Sequence, residues 1–100
     1  DEKLTLVARA HSQDMFNRGY FAHENPDGQS PFDRMTRAGI SFQVAGENIA
    51  YAPSVDLAHN GLMRSPGHRK NLLSPDYGRV GYGIIDGGIY GKMFSQEFTD

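Results

Sequence analysis

The chain contains no cysteine and no tryptophan. The absence of cysteine excludes disulfide bonds and any chemistry that needs a thiolate. It does not indicate a compartment, because cytosolic proteins and secreted bacterial proteins can both lack cysteine. An excess of basic residues is also missing: ten Lys and Arg stand against twelve Asp and Glu, for a net charge of -2. The basic surface typical of nucleic-acid binding is therefore absent, and we expect no nucleic-acid partner.

Long apolar runs are missing as well. No run approaches the ~20 residues that a transmembrane helix needs, and no stretch has the pattern of a signal peptide. What is present is the composition of a folded domain, since 38% of the 100 residues are hydrophobic and 11% are aromatic. We predict one domain over residues 1–100, a monomer, and expect it to be a fragment of a longer protein because the sequence opens directly on a helical pattern.

The first three quarters of the chain show helical patterns. Apolar residues at helical spacing predict an amphipathic first helix, and the sequence Ser30-Pro31-Phe32-Asp33 has the residues that favour a helix start. The predicted helices are 2–18, one from Ser30 to Gly39, one from Pro53 to about Arg64 and, after a break at 65–67, a short one over 68–73. Residues 40–52 are predicted to be irregular or weakly extended.

The last quarter changes to the period of a strand. Residues 80–85 alternate in character, as do residues 90–98, and the sequence Asp86-Gly87-Gly88 between them is typical of a turn. This pattern predicts a β-hairpin. Helices followed by an antiparallel hairpin indicate the α+β class, with helices covering the faces of a sheet.

Histidines are the residues most suited to carry chemistry here. No local metal motif is present, since the chain has neither an H-E-x-x-H sequence nor a cysteine pair. His23 and His68 lie far apart in the sequence, so spacing alone gives only a weak indication of a metal site. His11 falls on the apolar side of the first predicted helix and is predicted to be a buried histidine with its hydrogen bonds satisfied. His59 is predicted to lie at the surface.

Four segments resemble, in order, the signatures of the CAP superfamily. They are FAHENPDG at 21–28, GENIA at 46–50, SPGHRKNLL at 65–73 and FSQEF at 94–98. The superfamily includes cysteine-rich secretory proteins, antigen 5 and plant pathogenesis-related proteins, and the chain most resembles its cysteine-free bacterial branch. Each motif alone is weak, but four in the same order are specific, and the resemblance extends from about Leu4 to Phe98.

The resemblance implies an α-β-α sandwich with a central antiparallel sheet and an extracellular, secreted or cell-surface location. It also implies a binding cleft in which His23 and His68 converge with Glu47. In relatives such histidines bind zinc or another divalent cation, so the resemblance implies His23 and His68 as metal ligands and a divalent cation as the cofactor.

The chain also departs from the family pattern. Leu62 stands where bacterial relatives often have tryptophan. The second glutamate of eukaryotic relatives would fall near Ser65, so a second carboxylate is expected to be missing. The usual first helix of the fold has no counterpart before Asp1, and the face that it would cover is then expected to be exposed or covered by another part of a longer protein.

The role of Glu47 stays open at this point. It would complete a set of three zinc ligands, with water in the fourth position, which is the composition of a hydrolytic site. Alternatively it accepts a hydrogen bond from one imidazole and fixes its tautomer, which leaves two protein ligands. We favour the second role. A third reading gives His23 and His68 a purely structural function, in which they join loops to the sheet through Glu47.

Three hypotheses on function follow. The leading one is a non-enzymatic binding module, whose cleft takes a divalent cation, a small lipid-like molecule or a piece of cell-wall material. The second is a metal-dependent, peptidase-like hydrolase in which Glu47 serves as the base. The third is a structural module of a cell-wall-associated protein. We favour the first because no further acid or nucleophile is evident in the sequence.

Overall fold

The structure is a computed structural model that describes all residues 1–100. It contains four α-helices, three β-strands and one short 3-10 turn. The elements are α1 (Glu2–Arg18), α2 (Pro31–Arg37), β1 (Ala45–Ala52), α3 (Val55–Arg64), α4 (Pro66–Leu73), β2 (Arg79–Asp86), the 3-10 turn Gly88–Tyr90 and β3 (Lys92–Thr99). None of the helices has the length and apolar character needed to cross a membrane.

The three strands form one antiparallel sheet in the order β1-β3-β2. Central β3 pairs with β2 through the predicted hairpin and with β1 on its other side. Helices α1 and α2 pack on one face, where Leu4, Met35 and Ile40 share a hydrophobic cluster. Helices α3 and α4 lie over the other face. The predicted α+β class and the α-β-α sandwich are therefore confirmed.

Helix α1 forms where its apolar spacing predicts it. The residues of the predicted stripe are all buried: Leu4, Val7, Ala8, His11 and Met15. The Asp1 side chain accepts a hydrogen bond from the Leu4 amide at 3.1 Å and caps the first turn. Gly19 ends the helix in the left-handed region with φ 69°, which glycine adopts without a steric penalty.

Helix α1 approaches β2 very closely at two glycines. A Cβ atom on Gly81 would lie 2.2 Å from the Leu4 carbonyl carbon, and one on Gly83 would lie 2.2 Å from that of Ala8. The Ser12 hydroxyl donates a hydrogen bond to the Gly83 carbonyl oxygen at 2.9 Å. The alternating glycines of β2 thus provide the surface on which the backbone of α1 rests.

The structure corrects three local predictions. Residues 45–52 are a regular strand, although residues 40–52 were expected to be irregular or weakly extended. Strand β1 is stabilised by β3, which is remote in sequence, and helices on both sides of the sheet obscure the simple alternation of a half-exposed strand. The expected break at 65–67 is shorter, since α4 begins at Pro66, where proline fits the first helical position. Tyr90 belongs to the turn between β2 and β3 and not to a strand.

Candidate functional site

His23 lies on a bend that follows α1 and precedes the predicted turn over residues 25–28. The Asn25 side-chain oxygen accepts hydrogen bonds from the amides of Asp27 and Gln29 at 3.1 and 2.9 Å, which fixes this turn. From this loop the His23 imidazole reaches the sheet, where its Nδ1 lies 2.7 Å from Glu47 Oε1. The carboxylate accepts the Nδ1 proton, so in the neutral form of this half-exposed ring Nε2 is the nitrogen with the free lone pair.

Glu47 is almost completely buried under this loop, with 1% of its side chain exposed. Arg34 of α2 donates from Nη1 to Glu47 Oε2 at 3.0 Å, and it also donates to the backbone carbonyl of His23. Burial raises the pKa of Glu47, but the hydrogen bond from His23, the neighbouring carboxyl group of Glu97 and the charge of Arg34 outweigh burial and bring the pKa to about 2. Glu47 is therefore a carboxylate with both oxygens engaged.

His11 is a buried histidine with a satisfied ring, as predicted. Its Nε2 lies 2.9 Å from the carbonyl oxygen of Ala22, the residue before His23. Burial lowers the pKa of His11. The negative charge of Glu47 raises this pKa and the positive charge of Arg34 lowers it, and the net effect is a lowered pKa. The neutral ring of His11 therefore fixes the loop that carries His23. His59 is exposed on α3, also as predicted.

His68 lies on the first turn of α4. A buried asparagine holds this helix against the sheet through hydrogen bonds. Asn48 of β1 donates from Nδ2 to the carbonyl oxygen of His68 and to Gln96 Oε1, both at 3.1 Å. Its Oδ1 accepts from Asn71 Nδ2 at 2.9 Å. Burial lowers the pKa of His68, and the charge of the His23 ring contributes. The structure thus brings His23 and Glu47 into contact, and it holds α4, which carries His68, against β1 through Asn48.

Replacing Asn48 with aspartate is expected to loosen α4 and destabilise the domain by about 2 kcal/mol or more. The substitution removes the amide that donates to His68 and Gln96, and it brings a buried carboxylate against their oxygens. Chemical denaturation measures the loss. The same change at Asn60, exposed on α3, is the control and should alter the free energy of unfolding by less than about 0.5 kcal/mol. Equal effects at the two positions would refute this role of Asn48.

Sequence reasoning missed two residues of the site, Arg34 and Glu97. Glu97 of β3 stands directly opposite Glu47 in the strand register and is fully buried. Burial raises the pKa of Glu97 to about 10, and the neighbouring Glu47 adds to the rise. Ser65 brings no carboxylate, as expected, yet β3 supplies a second carboxyl group beside Glu47. The alternation along β3 could have indicated Glu97, because it places this residue on the opposite face of the strand from Phe94 and Phe98.

The residues present do not make a three-ligand metal site. No group of three or more His, Cys, Asp or Glu side chains is arranged to hold a metal ion. The Glu47 oxygens are engaged by His23 and Arg34, and a guanidinium so close opposes the binding of a cation. Structural and catalytic zinc ions take at least three protein ligands. Glu47 is thus not available as a third ligand, and metal binding by His23 and His68 stays a prediction.

The fold and the arrangement of these motifs agree with a match to a known family. The family described as "CAP: Cysteine-rich secretory protein family" matches residues 1–98. The chain therefore belongs to the CAP family.

Curated relatives come from Bacillus subtilis (strain 168). The chain is 42% identical over 99 residues to the uncharacterized protein YkwD, covering 98% of this chain and 37% of YkwD. It is 43% identical over 100 residues to the uncharacterized membrane protein YlbC, covering 98% of this chain and 27% of YlbC. The chain thus spans about a third or less of the length of these relatives.

Solved structures show the same fold. An extracellular protein from Bacillus anthracis that contains an SCP domain superposes with a TM-score of 0.88 at 39% identity, covering 99% of this chain and 32% of that one. An outer surface protein from Borrelia burgdorferi gives a TM-score of 0.92 at 21% identity, covering 100% of this chain and 74% of that one. At this lower identity the likeness shows the fold alone.

Proposed function

We propose that this domain is a binding module that works outside the cell, and that its functional cleft is formed by His23, Glu47 and His68. The observation that carries the proposal is the hydrogen bond of 2.7 Å between His23 Nδ1 and Glu47 Oε1. A carboxylate that holds one ring nitrogen fixes the tautomer and presents the other nitrogen as a base or a metal ligand. The ring is also half exposed, so that a ligand in solution can reach it.

The location rests on the relatives. The solved relative with 39% identity is described as an extracellular protein. We expect this domain to function in the same surroundings, as a monomer. The absence of cysteine is compatible with such a location, because secreted bacterial proteins can lack cysteine.

A divalent cation is the ligand whose bonding preferences imidazole nitrogens meet. His23 and His68 would each contribute one nitrogen, with water in the remaining positions, and a bound cation would polarise an oxygen of a ligand in the cleft. With only two protein ligands, binding should be weak and exchangeable. The hydrolase alternative has less support, because a carboxylate with a pKa of about 2 that already accepts hydrogen bonds from His23 and Arg34 is a poor general base.

A lipid-like ligand would enter elsewhere. An apolar groove of about 570 Å³ lies between α3 and the sheet, lined mainly by apolar side chains. Tyr82 and Ile84 of β2 are substantially exposed along it. The groove is on the face of the sheet opposite Glu47, so a lipid-like molecule and a cation would occupy separate places. Cell-wall material, the other ligand that we consider, would have to contact the polar cleft.

Isothermal titration with zinc tests the cation. The wild type should bind one ion, His68→Ala and His23→Ala should each lose this binding, and Glu47→Gln should weaken it about 10- to 100-fold. His59→Ala is the matched control, since this exposed histidine of α3 lies outside the cleft, and it should bind like the wild type. Equal affinity of wild type and His68→Ala would refute the cation site and leave the structural reading of the histidines.

A further inference from the structure

We propose that Glu97 is a neutral carboxylic acid that donates a hydrogen bond to Glu47, and that it serves as a positioning residue for the cleft. The proposal rests on the proposed function only in its last step, where Glu47 in turn orients His23. The protonation of Glu97 in the interface between the sheet and α1 does not depend on the proposed function, because it is argued from the positions of Glu47 and Glu97.

The two carboxyl groups meet because of the strand register. Glu47 and Glu97 are directly opposite each other on β1 and β3, and side chains at such positions project from the same face with their Cβ atoms about 5 Å apart. Both are on the face that α1 covers, and the Glu97 side chain has no exposed surface. Two carboxylates so placed repel each other, and burial removes most of the screening that bulk solvent would give.

The positive charge near Glu97 is not sufficient to balance two ionised carboxylates, Glu47 and Glu97. Helix α2 contributes Arg34, and α1 contributes His11, a buried ring whose pKa is lowered. The loop after α1 contributes His23, which contacts Glu47, and β2 contributes none, since Gly81 stands opposite Glu97. Arg34 is thus the one permanent cation, and its charge balances one carboxylate.

Arg34 is directed to Glu47 rather than to Glu97. Its Nη1 lies 3.0 Å from Glu47 Oε2 but 3.6 Å from Glu97 Oε1, and Nη2 donates to the backbone of His23. Neither oxygen of Glu97 accepts a hydrogen bond from any protein donor. A buried carboxylate without donors is far less stable than the protonated acid. The proton therefore resides on Glu97, where it can be donated to the neighbouring Glu47.

This arrangement completes the hydrogen bonding of Glu47. One of its oxygens faces His23 and the other faces Arg34, and the Glu97 hydroxyl adds a donor from within the sheet. Three donors from three elements of the fold then restrict the rotation of the Glu47 carboxylate. A fixed carboxylate is what keeps the proton of His23 on Nδ1 and its lone pair on Nε2.

The test compares Glu97→Gln with Glu97→Met in metal-free protein. Glutamine reproduces the neutral acid, with an amide donor for Glu47 and a carbonyl oxygen toward Arg34, whereas methionine has a similar volume and no donor. The first measurement is chemical denaturation of wild type and Glu97→Gln from pH 5 to pH 8. The second is the ring-nitrogen chemical shifts of His23 by NMR, which report its tautomer.

The expected dependence on pH has a definite sign. The folded-state pKa of Glu97 is raised above the unfolded-state pKa, so the wild type takes up a proton on folding in this range and loses stability as pH rises. Glu97→Gln takes up no such proton. Its folding equilibrium constant should therefore grow relative to that of the wild type, by up to about tenfold per pH unit. A loss of stability in Glu97→Gln that does not diminish with pH would show instead that Glu97 is an ionised partner of Arg34.

The tautomer of His23 tests the positioning role of Glu97 separately. His23 should carry its proton on Nδ1 in the wild type and in Glu97→Gln, and on a mixture of both nitrogens in Glu97→Met. An unchanged tautomer in Glu97→Met would overturn the positioning role. If Glu97→Met does not fold, the pH comparison with Glu97→Gln still decides the protonation. Since no metal is used, failure of the wild type to bind zinc would refute the proposed cation site without affecting either result.

Discussion

Replacing Gly83 with alanine is expected to destabilise the domain by at least about 3 kcal/mol. The new methyl group would lie 2.2 Å from the Ala8 carbonyl carbon and the Arg9 amide nitrogen. These are backbone atoms in the middle of α1, so the whole helix has to move away from the sheet. The movement would also break the hydrogen bond from Ser12 to the Gly83 carbonyl oxygen. Chemical denaturation monitored by circular dichroism measures the loss.

Gly61→Ala is the matched control for this prediction. Gly61 lies inside α3, and a Cβ atom there would meet nothing within 4 Å. Alanine favours the helix over glycine, so this variant should gain about 0.5 to 1 kcal/mol. A Gly83→Ala protein as stable as the wild type would contradict the close contact between α1 and β2.

The second large effect concerns the charge pair under the cleft. Glu47→Met is expected to cost about 3 kcal/mol, because it leaves the nearly buried guanidinium of Arg34 without its carboxylate. The cost should fall at the low end of the range for broken buried pairs, since Glu97 lies close enough to give up its proton and take over part of the pairing. Urea denaturation of the variant at neutral pH gives the value.

A double-mutant cycle isolates this interaction. Arg34→Met should also destabilise the domain, and the variant with both substitutions should be more stable than the sum of the two single losses implies, by about 2 kcal/mol. The reason is that removal of both partners leaves no uncompensated charge in the interface. Strict additivity would mean that the 3.0 Å contact between Arg34 Nη1 and Glu47 Oε2 contributes nothing to folding.

Local signals in the sequence were sufficient for most of the fold. The apolar stripe of α1, the hydrogen bonds between Ser30 and Asp33 that begin α2 and the Ser54 cap of α3 each act over a few residues. Such rules can be applied to a sequence without knowing its partners. The hairpin of β2 and β3 is equally local, although its glycine-rich turn is longer than predicted and contains Tyr90.

Long-range contacts explain what the sequence did not reveal. Strand β1 forms because it pairs with β3, and the sequence of residues 45–52 does not by itself indicate that pairing. Arg34 has the pattern of an exposed helical residue, yet the packing of α2 turns it toward Glu47. Glu97 looked like one polar residue among alternating ones. Its meaning depends on the register that sets it opposite Glu47, which only the folded structure supplies.

Family motifs and structure contributed differently to the site. The motifs identified His23, Glu47 and His68, which are far apart in the sequence, and the contact between His23 and Glu47 agrees with that grouping. The motifs did not give the environment that determines how these groups behave. Both oxygens of Glu47 are engaged by His23 and Arg34, and this is why we propose a binding module and not a hydrolase.

A crystal of the protein soaked in zinc would test the central claim most directly. An anomalous difference map should show one peak between the imidazoles of His23 and His68, about 2.0–2.1 Å from a ring nitrogen of each, with Glu47 still bound to His23 Nδ1. An empty cleft in a crystal whose exposed His59 has bound zinc would contradict the account.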